Sequence, residues 1–147
     1  MIDLSKERRG SFQRIKDEYT HELLVQTGRF YTRNTRSWIR NDYVFFIGKK
    51  RYRKGNYFLG FGRIYGIYTD FETSLKEEQY FKLNNYKWAI QVDRLTLFKE
   101  PIPIKKIDLD EIKTAYYRRK PILDEEDMDF LFEFIEGSIH RKPYQKY

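Results

Sequence analysis

The sequence predicts an α+β fold in which helices flank a small, strongly bent sheet or barrel of mixed or antiparallel strands. Two runs of aromatic and β-branched residues, 43–47 and 57–68, are typical of strands that pack on one face. Residues 88–98 alternate between apolar and polar side chains, as a strand does. Residues 123–135 show the apolar spacing of a helix. A helix, then strands, then a closing helix fits this fold class.

The chain of 147 residues is expected to form a single domain over 1–147, because single domains commonly run about 100–200 residues. The two charged ends, residues 1–10 and 138–147, are expected to be flexible. Phe12, Ile15 and Tyr19 recur at three- and four-residue spacing, which predicts a helix over 12–19 with Ser11 as its cap.

The apolar run 23–25 either extends this helix or forms a short strand, and Gly28 ends it. Residues 29–40, RFYTRNTRSWIR, combine four arginines with three aromatic residues and are interpreted as a loop. This loop leads into a hairpin whose strands are 43–47 and 57–68, with a strongly basic turn between them.

Three glycines interrupt the second hairpin strand, at positions 60, 62 and 66. Within a strand, they indicate bulges or a close approach of two backbones rather than a phosphate loop. Residues 70–85 are interpreted as a polar connection with a helical turn near 75–80. Pro101 and Pro103 predict an extended exit from the strand that follows, which cannot lie in the middle of a sheet.

The closing helix is predicted over 123–135, with Asp124 as its cap and Gly137 at its end. A shorter helix is predicted within 109–117. The buried stripe of the closing helix is expected to comprise Met128, Leu131, Phe134 and Ile135.

Catalytic chemistry finds little support in the sequence. There is no cysteine, and the two histidines, His21 and His140, lie far apart, so no metal and no cofactor is expected. Asp93 with Glu111 and Lys113 is a weak nuclease candidate, because residues two apart on a helix point away from each other. We therefore expect no enzyme. Nuclease activity that is lost in an Asp93→Asn variant would reopen this interpretation.

No apolar signal core opens the chain, and no run approaches the ~20 apolar residues of a membrane span. We expect a soluble, cytoplasmic protein with no membrane contact. The formal net charge of +7 favours polyanionic partners, nucleic acid first.

Basic residues interleave with aromatic ones in three segments: 29–38, 49–54 and 116–120. Cations bind phosphates, while aromatic rings stack on unpaired bases. The basic turn at 49–54 is also compatible with a merely solvated turn that opposes aggregation. The predicted phosphate-binding residues are Arg29, Arg33, Arg36, Lys49, Lys50, Arg51, Arg53, Lys54 and Arg118.

Several segments together resemble the EVE domains, which belong to the PUA-like superfamily and are related to YTH domains. The resemblance rests on WIRNDYVFFIGKK followed by GNYFLGFGRIYGIY, then on WAIQVDRLTLFKEPIPIKKI and PILDEEDMDFLFEFIEG. It covers roughly residues 28–137, and the order of the segments carries it rather than any single motif. The family opens with an aromatic strand at the very N-terminus, and the first ten residues here show none.

The resemblance implies a PUA-like bent β-barrel with flanking helices, and an aromatic pocket that accepts a flipped or modified base beside a basic rim. Residues 27–38 and 116–118 match the family segments that line this pocket. Trp38 is equally compatible with the core, and for Trp88, which opens a strand, a place in the core is favoured over the pocket. The predicted pocket residues are Tyr31, Asn34, Ser37, Trp38, Trp88, Tyr116 and Tyr117.

Two functions follow as hypotheses. The first is a nucleic-acid-binding module, for DNA or RNA, that captures a base in the aromatic pocket. The alternative is a protein-interaction or regulatory subunit whose basic face binds an acidic partner.

Overall fold

One mixed sheet with helices packed against it confirms the predicted α+β class. The structure is a computed structural model that describes residues 9–33, 39–48, 57–69, 73–104, 123–139 and 144–146. Its strands are β1 (Gly10–Ile15), β2 (Arg29–Thr32), β3 (Tyr43–Gly48), β4 (Tyr57–Tyr68), β5 (Trp88–Pro103) and β6 (Tyr144–Lys146). Its helices are α1 (Glu18–Thr27), α2 (Leu75–Leu83) and α3 (Glu125–Ile139).

The strands follow the order β1-β3-β4-β5-β2 across the sheet, which curls into a half-barrel. β1 runs parallel to β3, and the other pairs are antiparallel. Two strands pair with the same edge of the long strand β5: β2 at residues 88–91 and β6 at residues 96–98. β5 therefore links β2 and β6 to the rest of the sheet.

The central hairpin of β3 and β4 confirms the predicted strand pair. Register shifts interrupt the pairing of β4 with β5 near all three glycines, which confirms the interpretation as bulges and close approach. A Cβ atom at Gly60 would overlap the carbonyl oxygen of Thr96, and one at Gly62 would overlap the side chain of Val92. The basic turn at 49–56 lies outside the described residues.

The predicted helix over 12–19 is wrong. Residues 10–15 form β1, whose pairing with β3 is a long-range contact that the local spacing could not reveal. The helix begins later, because the side chain of Asp17, and not that of Ser11, accepts a hydrogen bond from the Thr20 amide at 2.8 Å. Gly28 ends α1 with a left-handed φ of 71°, as predicted.

Other boundaries also differ from the sequence predictions. Residues 29–32 form a strand rather than a loop, paired with β5. Parts of the ends predicted to be flexible lie in the sheet, namely Gly10 and residues 144–146. The predicted helix within 109–117 lies outside the described residues.

Both prolines stay inside β5, in a stretch that, among the described strands, β4 alone pairs. The prolines, which have no N–H group to donate, therefore do not lie in the middle of the described sheet, as predicted. α3 begins after Asp124, whose carboxylate accepts a hydrogen bond from the Asp127 amide at 2.9 Å and confirms the predicted cap. Gly137 does not end α3, because the helix continues to Ile139.

Three groups of buried residues form the core. The first, which we call the inner core group, lies on one face of the sheet; Ile90 and Val92 of β5 belong to it with Trp88 packed alongside, on the face that their alternation predicts. A second group packs α3 on the other face and contains many phenylalanine rings. We call Phe12, Phe45, Phe58, Phe61 and Phe132 the phenylalanine layer.

A third group joins α1 and α2 to β2 and β5. Its aromatic members belong to four different segments of the chain. We call Tyr19, Tyr31, Tyr80, Phe81 and Tyr86 the tyrosine cluster.

Candidate functional site

The tyrosine cluster brings together rings from α1, β2, α2 and the turn before β5. The Tyr31 and Phe81 ring centroids are 5.2 Å apart and nearly perpendicular, and Tyr19 meets Tyr80 edge-on at 4.8 Å. Tyr86 completes the cluster, with its centroid 5.6 Å from that of Tyr80. Offset and edge-on pairs of this kind are the favourable geometries for aromatic rings.

A buried carboxylate lies beneath the cluster. Glu77 of α2 is only 4% exposed, accepts a hydrogen bond from the Tyr31 hydroxyl, and forms an ion pair with the Arg29 guanidinium at 3.1 Å. Burial raises the pKa of Tyr31 above its usual range, and the hydrogen bond to Glu77 raises it further. The phenol therefore stays protonated, and the three side chains fasten α2 to β2.

A second polar chain runs through the same cluster. The Thr20 hydroxyl donates to the Asp17 carboxylate at 2.7 Å and shares a hydrogen bond of 2.8 Å with the Tyr80 hydroxyl. The hydroxyls of Tyr80 and Tyr86 are 3.5 Å apart. Burial, and next the hydrogen bond with Tyr80, raise the pKa of Tyr86. The hydroxyl groups of Tyr31, Tyr80 and Tyr86 thus each have a hydrogen-bond partner, as buried polar groups require.

Three exposed cations lie over the rings of this cluster. The Arg33 guanidinium and the Lys16 ammonium are 5.3 Å and 6.0 Å from the Tyr86 centroid, and the Lys76 ammonium is 4.6 Å from that of Tyr19. They come from the end of β2, from the link between β1 and α1, and from α2. We call Lys16, Arg33 and Lys76 the cationic rim.

Arg33, one member of the rim, is held in place by more than attraction to a ring. The Arg33 Nε donates a hydrogen bond to the carbonyl oxygen of Asn84 at 2.8 Å. Cation–π contacts within about 6 Å are favourable, and they leave many of the N–H donors of the cation available. The arrangement can therefore bind an anion next to an aromatic surface.

The structure changes the roles expected of two predicted residues. Arg29 forms an ion pair with buried Glu77, so its guanidinium does not project from the surface as a phosphate ligand. The ring of Tyr31 is packed among Phe81, Tyr80 and Tyr86 and is 5% exposed, so it offers no open face to a base. Both residues support the site from below.

Arg33 lies in the rim, and Trp88 is half-buried against the inner core group. The remaining predicted site residues lie outside the described part of the chain. These are Asn34, Arg36, Ser37, Trp38, Lys49, Lys50, Arg51, Arg53, Lys54, Tyr116, Tyr117 and Arg118.

Sequence reasoning missed most of the cluster. Tyr80 and Phe81 fall in the segment 70–85 that was interpreted as a polar connection, and Tyr86 follows directly after it; charged neighbours conceal the first two. The run YFKLNNYKW at 80–88 has an aromatic density that could have drawn attention to it. Lys16 and Lys76 carry no local signal, because only the fold brings them to the tyrosine rings.

Within the residues that the structure describes, no group of three or more His, Cys, Asp and Glu side chains could hold a metal ion. His21 is exposed on α1. None of the described helices is both long enough and apolar enough to cross a membrane.

No family model matches the chain, and no curated protein matches it. The resemblance to EVE domains therefore remains a prediction.

Proposed function

We propose that this protein is a nucleic-acid-binding module whose cationic rim binds the phosphate backbone. The observation that supports it best is the convergence of Lys16, Arg33 and Lys76, from three separate elements, on the rings of one tyrosine cluster. A net charge of +7 favours the same class of partner.

The geometry favours phosphate binding at the rim over base stacking on the cluster. The rings beneath the rim are largely buried and already contact one another, so they position the cations rather than receive a base. Arg33 rests against Tyr86 and is also hydrogen-bonded to the Asn84 carbonyl oxygen, so this cation loses less side-chain freedom on binding than an unrestrained arginine would.

The finer proposal is that a flipped or modified base is captured beside the rim, as in the EVE domains that the sequence resembles. Arg33 leads directly into the segment 34–38, which supplies Asn34 and Ser37 to contact base edges and Trp38 to stack. Tyr116 and Tyr117 provide further rings. The additional cations are Arg36, Arg118 and those of the turn at 49–54.

The test is a binding screen of the full chain against fluorescent single-stranded DNA and RNA oligonucleotides, with and without base modifications, over a range of salt concentrations. For a phosphate-binding rim, log affinity falls linearly with log salt, with a slope of about 0.7 for each phosphate contacted in a single strand. The double variant Lys16→Gln/Arg33→Gln should weaken binding and reduce this slope by about 1.4.

A matched control removes two exposed cations elsewhere, with Lys82→Gln on α2 and Lys99→Gln on β5. It has the same net charge as the rim variant and should keep nearly all of the affinity. Salt-independent binding, or no binding to any oligonucleotide in the panel, would rule out the proposed function.

A protein-interaction subunit is the second candidate, and one observation favours it. Leu75 and Leu83, at the two ends of α2, are 70% and 82% exposed, which is unusual for leucine. An acidic partner that contacts both the rim and these leucines would explain the same cations. Isolation of one stable protein partner without nucleic acid, lost in a Leu75→Ser/Leu83→Ser variant, would favour this function.

A further inference from the structure

A second set of cation–π contacts lies on β3, β4 and the turn between residues 39 and 42. The Arg63 guanidinium is 5.2 Å from the centroid of Tyr43, its register partner on β3. The Arg40 guanidinium is 5.1 Å from the centroid of Tyr65, which is 49% exposed. We call Arg40, Tyr43, Arg63 and Tyr65 the arginine–tyrosine strip.

The strand register places part of this strip between the two aromatic groups on one face of the sheet. Tyr43 and Arg63 are paired, and Tyr43 shares a face with Phe45 of the phenylalanine layer, two residues along β3. Arg63 is in turn the register partner of Asp93 on β5, which shares a face with Ala89 beside the tyrosine cluster. The strip therefore adjoins the candidate site.

A bulge directs Tyr65 outward. Ile64 pairs with Val92 and Gly66 with Gln91, so Tyr65 is the extra residue of β4 at this point. Bulges of this kind redirect a side chain and often occur next to functional sites. Two residues beyond Gly66, Tyr68 is 39% exposed and pairs with Ala89, and its ring lies against Gly66. It provides a second exposed ring next to the bulge.

The turn that presents Arg40 is fixed to β4. Asn41 has a left-handed φ of 76°, and its amide donates to the carbonyl oxygen of Ile64 at 2.8 Å. The Ile64 amide donates in return to the Asp42 carbonyl oxygen, also at 2.8 Å, and the buried Asp42 carboxylate accepts from the amide of Ile39 at 3.2 Å. These hydrogen bonds fix the backbone at Arg40 next to β4, so the residue lies beside Tyr65 in the unbound protein.

The charge of the strip indicates what it binds. Neither Arg40 nor Arg63 forms a side-chain ion pair or hydrogen bond with another residue in the described ranges. The exposed carboxylate of Asp93, opposite Arg63, is the negative charge closest in register and opposes an anion there. One of these two cations lies beside the exposed ring of Tyr65 and the other over the half-buried ring of Tyr43. Cations without such partners next to an exposed ring suit a flexible polyanion with planar groups, which is single-stranded nucleic acid.

The strip and the rim are close enough for one strand to contact both. Arg33 and Arg40 are seven residues apart (40 − 33), so their backbones are at most about 25 Å from each other. We infer that the arginine–tyrosine strip is a second contact tract, which extends the footprint of a single strand bound at the cationic rim. This inference rests on the proposed function.

Oligonucleotide length separates the two surfaces. Sites of single-strand binding folds span roughly 4–16 nucleotides, so the full chain is titrated with oligomers of about 4 and about 16 nucleotides. The Arg40→Gln/Arg63→Gln variant should reduce the salt slope by about 1.4 for the long oligomer and leave the short one unaffected. Tyr65→Ser should weaken only the long oligomer, about fivefold or more, and Tyr65→Phe should bind as the unchanged protein does.

The Lys82→Gln/Lys99→Gln variant again controls for net charge, and circular dichroism checks that each variant is folded. If the unchanged protein binds oligonucleotides but the strip variants bind the long one equally well, the strip inference is wrong and the proposed function stands. If the unchanged protein binds neither oligomer, both are wrong.

The Asp93→Asn variant tests the strip independently, because it should strengthen oligonucleotide binding where the arginine variants weaken it. Removal of the carboxylate opposite Arg63 should strengthen binding of the long oligomer at low salt, because like charges no longer face the phosphates. Unchanged or weaker binding of the long oligomer would count against the strip. Cleavage that is lost in this variant would instead support the nuclease interpretation.

Discussion

The phenylalanine layer and the tyrosine cluster cover neighbouring parts of the sheet, but they are built from different chemistry. The layer joins phenylalanine rings to Met128, Leu131 and Ile135 of α3, all without a charged or hydroxyl group. The cluster instead ties its hydroxyl groups to Glu77, Thr20 and one another, and carries cations over its rings.

This difference separates stability from function within one fold. A phenylalanine side chain contributes through the apolar area that it buries, and it leaves nothing to contact a ligand. A tyrosine contributes similar area and also a hydroxyl that fixes its orientation and that of its neighbours. Changes in the layer should therefore act on folding, while changes at the edge of the cluster should act on binding.

The largest effect is expected in the phenylalanine layer. Phe45 is fully buried and contacts the rings of Phe12, Phe58, Phe61 and Phe132. A Phe45→Ala variant should lose about 3–5 kcal/mol of unfolding free energy in urea, because a cavity replaces the ring. The fraction that remains folded should bind oligonucleotides with unchanged affinity. A loss below about 1 kcal/mol would contradict the packing described for this layer.

An intermediate loss of stability is expected at the buried Glu77 carboxylate of the tyrosine cluster. Tyr31→Phe removes the hydroxyl that donates to Glu77 but keeps the ring, so the carboxylate loses one partner while buried. The expected cost is about 1–3 kcal/mol of unfolding free energy at pH 7, measured in urea. Phe81→Leu in the same cluster leaves the hydrogen bond intact and serves as the control.

The same substitution should change the alkaline limit of stability. The pKa of Tyr31 is raised in the folded protein above its usual 10.0, mainly by burial, so the unfolded chain ionises first as pH rises. Stability from this group is complete below pH 10 and is lost progressively above it. Tyr86 acts in the same direction. Between pH 9 and about 12, the unfolding free energy of the Tyr31→Phe variant should therefore fall less steeply with pH than that of the unchanged protein. Equal slopes of unfolding free energy against pH would show that Tyr31 ionises freely when folded.

The parts of the fold that the sequence predicted are those with strong local patterns. The hairpin, the alternating strand from Trp88 and the capped helix after Asp124 each carry their signal within a few residues. β1 was mistaken for a helix because Phe12, Ile15 and Tyr19 fit helical spacing, and only its parallel pairing with β3 makes it a strand. Tertiary pairing thus overrode the local pattern.

The candidate site was less predictable for the same reason. Arg33 was identified from its aromatic and basic neighbours, but its partner Tyr86 is far away in the sequence. Glu77 looks like one more charge on a polar helix, and only the docking of α2 on β2 reveals it as a buried ligand of Tyr31 and Arg29. Composition indicated a basic, aromatic surface without indicating which residues meet on it.

The smallest effect on stability is expected for two lysines of α2, Lys76 and Lys82. Substitution of Lys76 should nevertheless have a clear effect on binding. Lys76 lies over the Tyr19 ring, and exposed cation–π contacts are worth about 0.5–1 kcal/mol. Lys82 forms an exposed ion pair with Glu78 one turn away, at 2.9 Å, and such pairs are worth about 0.2–0.5 kcal/mol. Lys76→Gln and Lys82→Gln should therefore both change the unfolding free energy by less than about 1 kcal/mol.

Their oligonucleotide affinities should nevertheless differ, because only Lys76 belongs to the cationic rim. Lys76→Gln should reduce the salt slope of binding by about 0.7, the value for one lost phosphate contact on a single strand, while Lys82→Gln leaves it unchanged. Both variants remove one charge from the same helix and so have the same net charge. A difference between their salt slopes therefore reports where the lysine lies. Equal losses in the two variants would mean that the net charge of +7 attracts the nucleic acid and that the tyrosine cluster does not organise the contact.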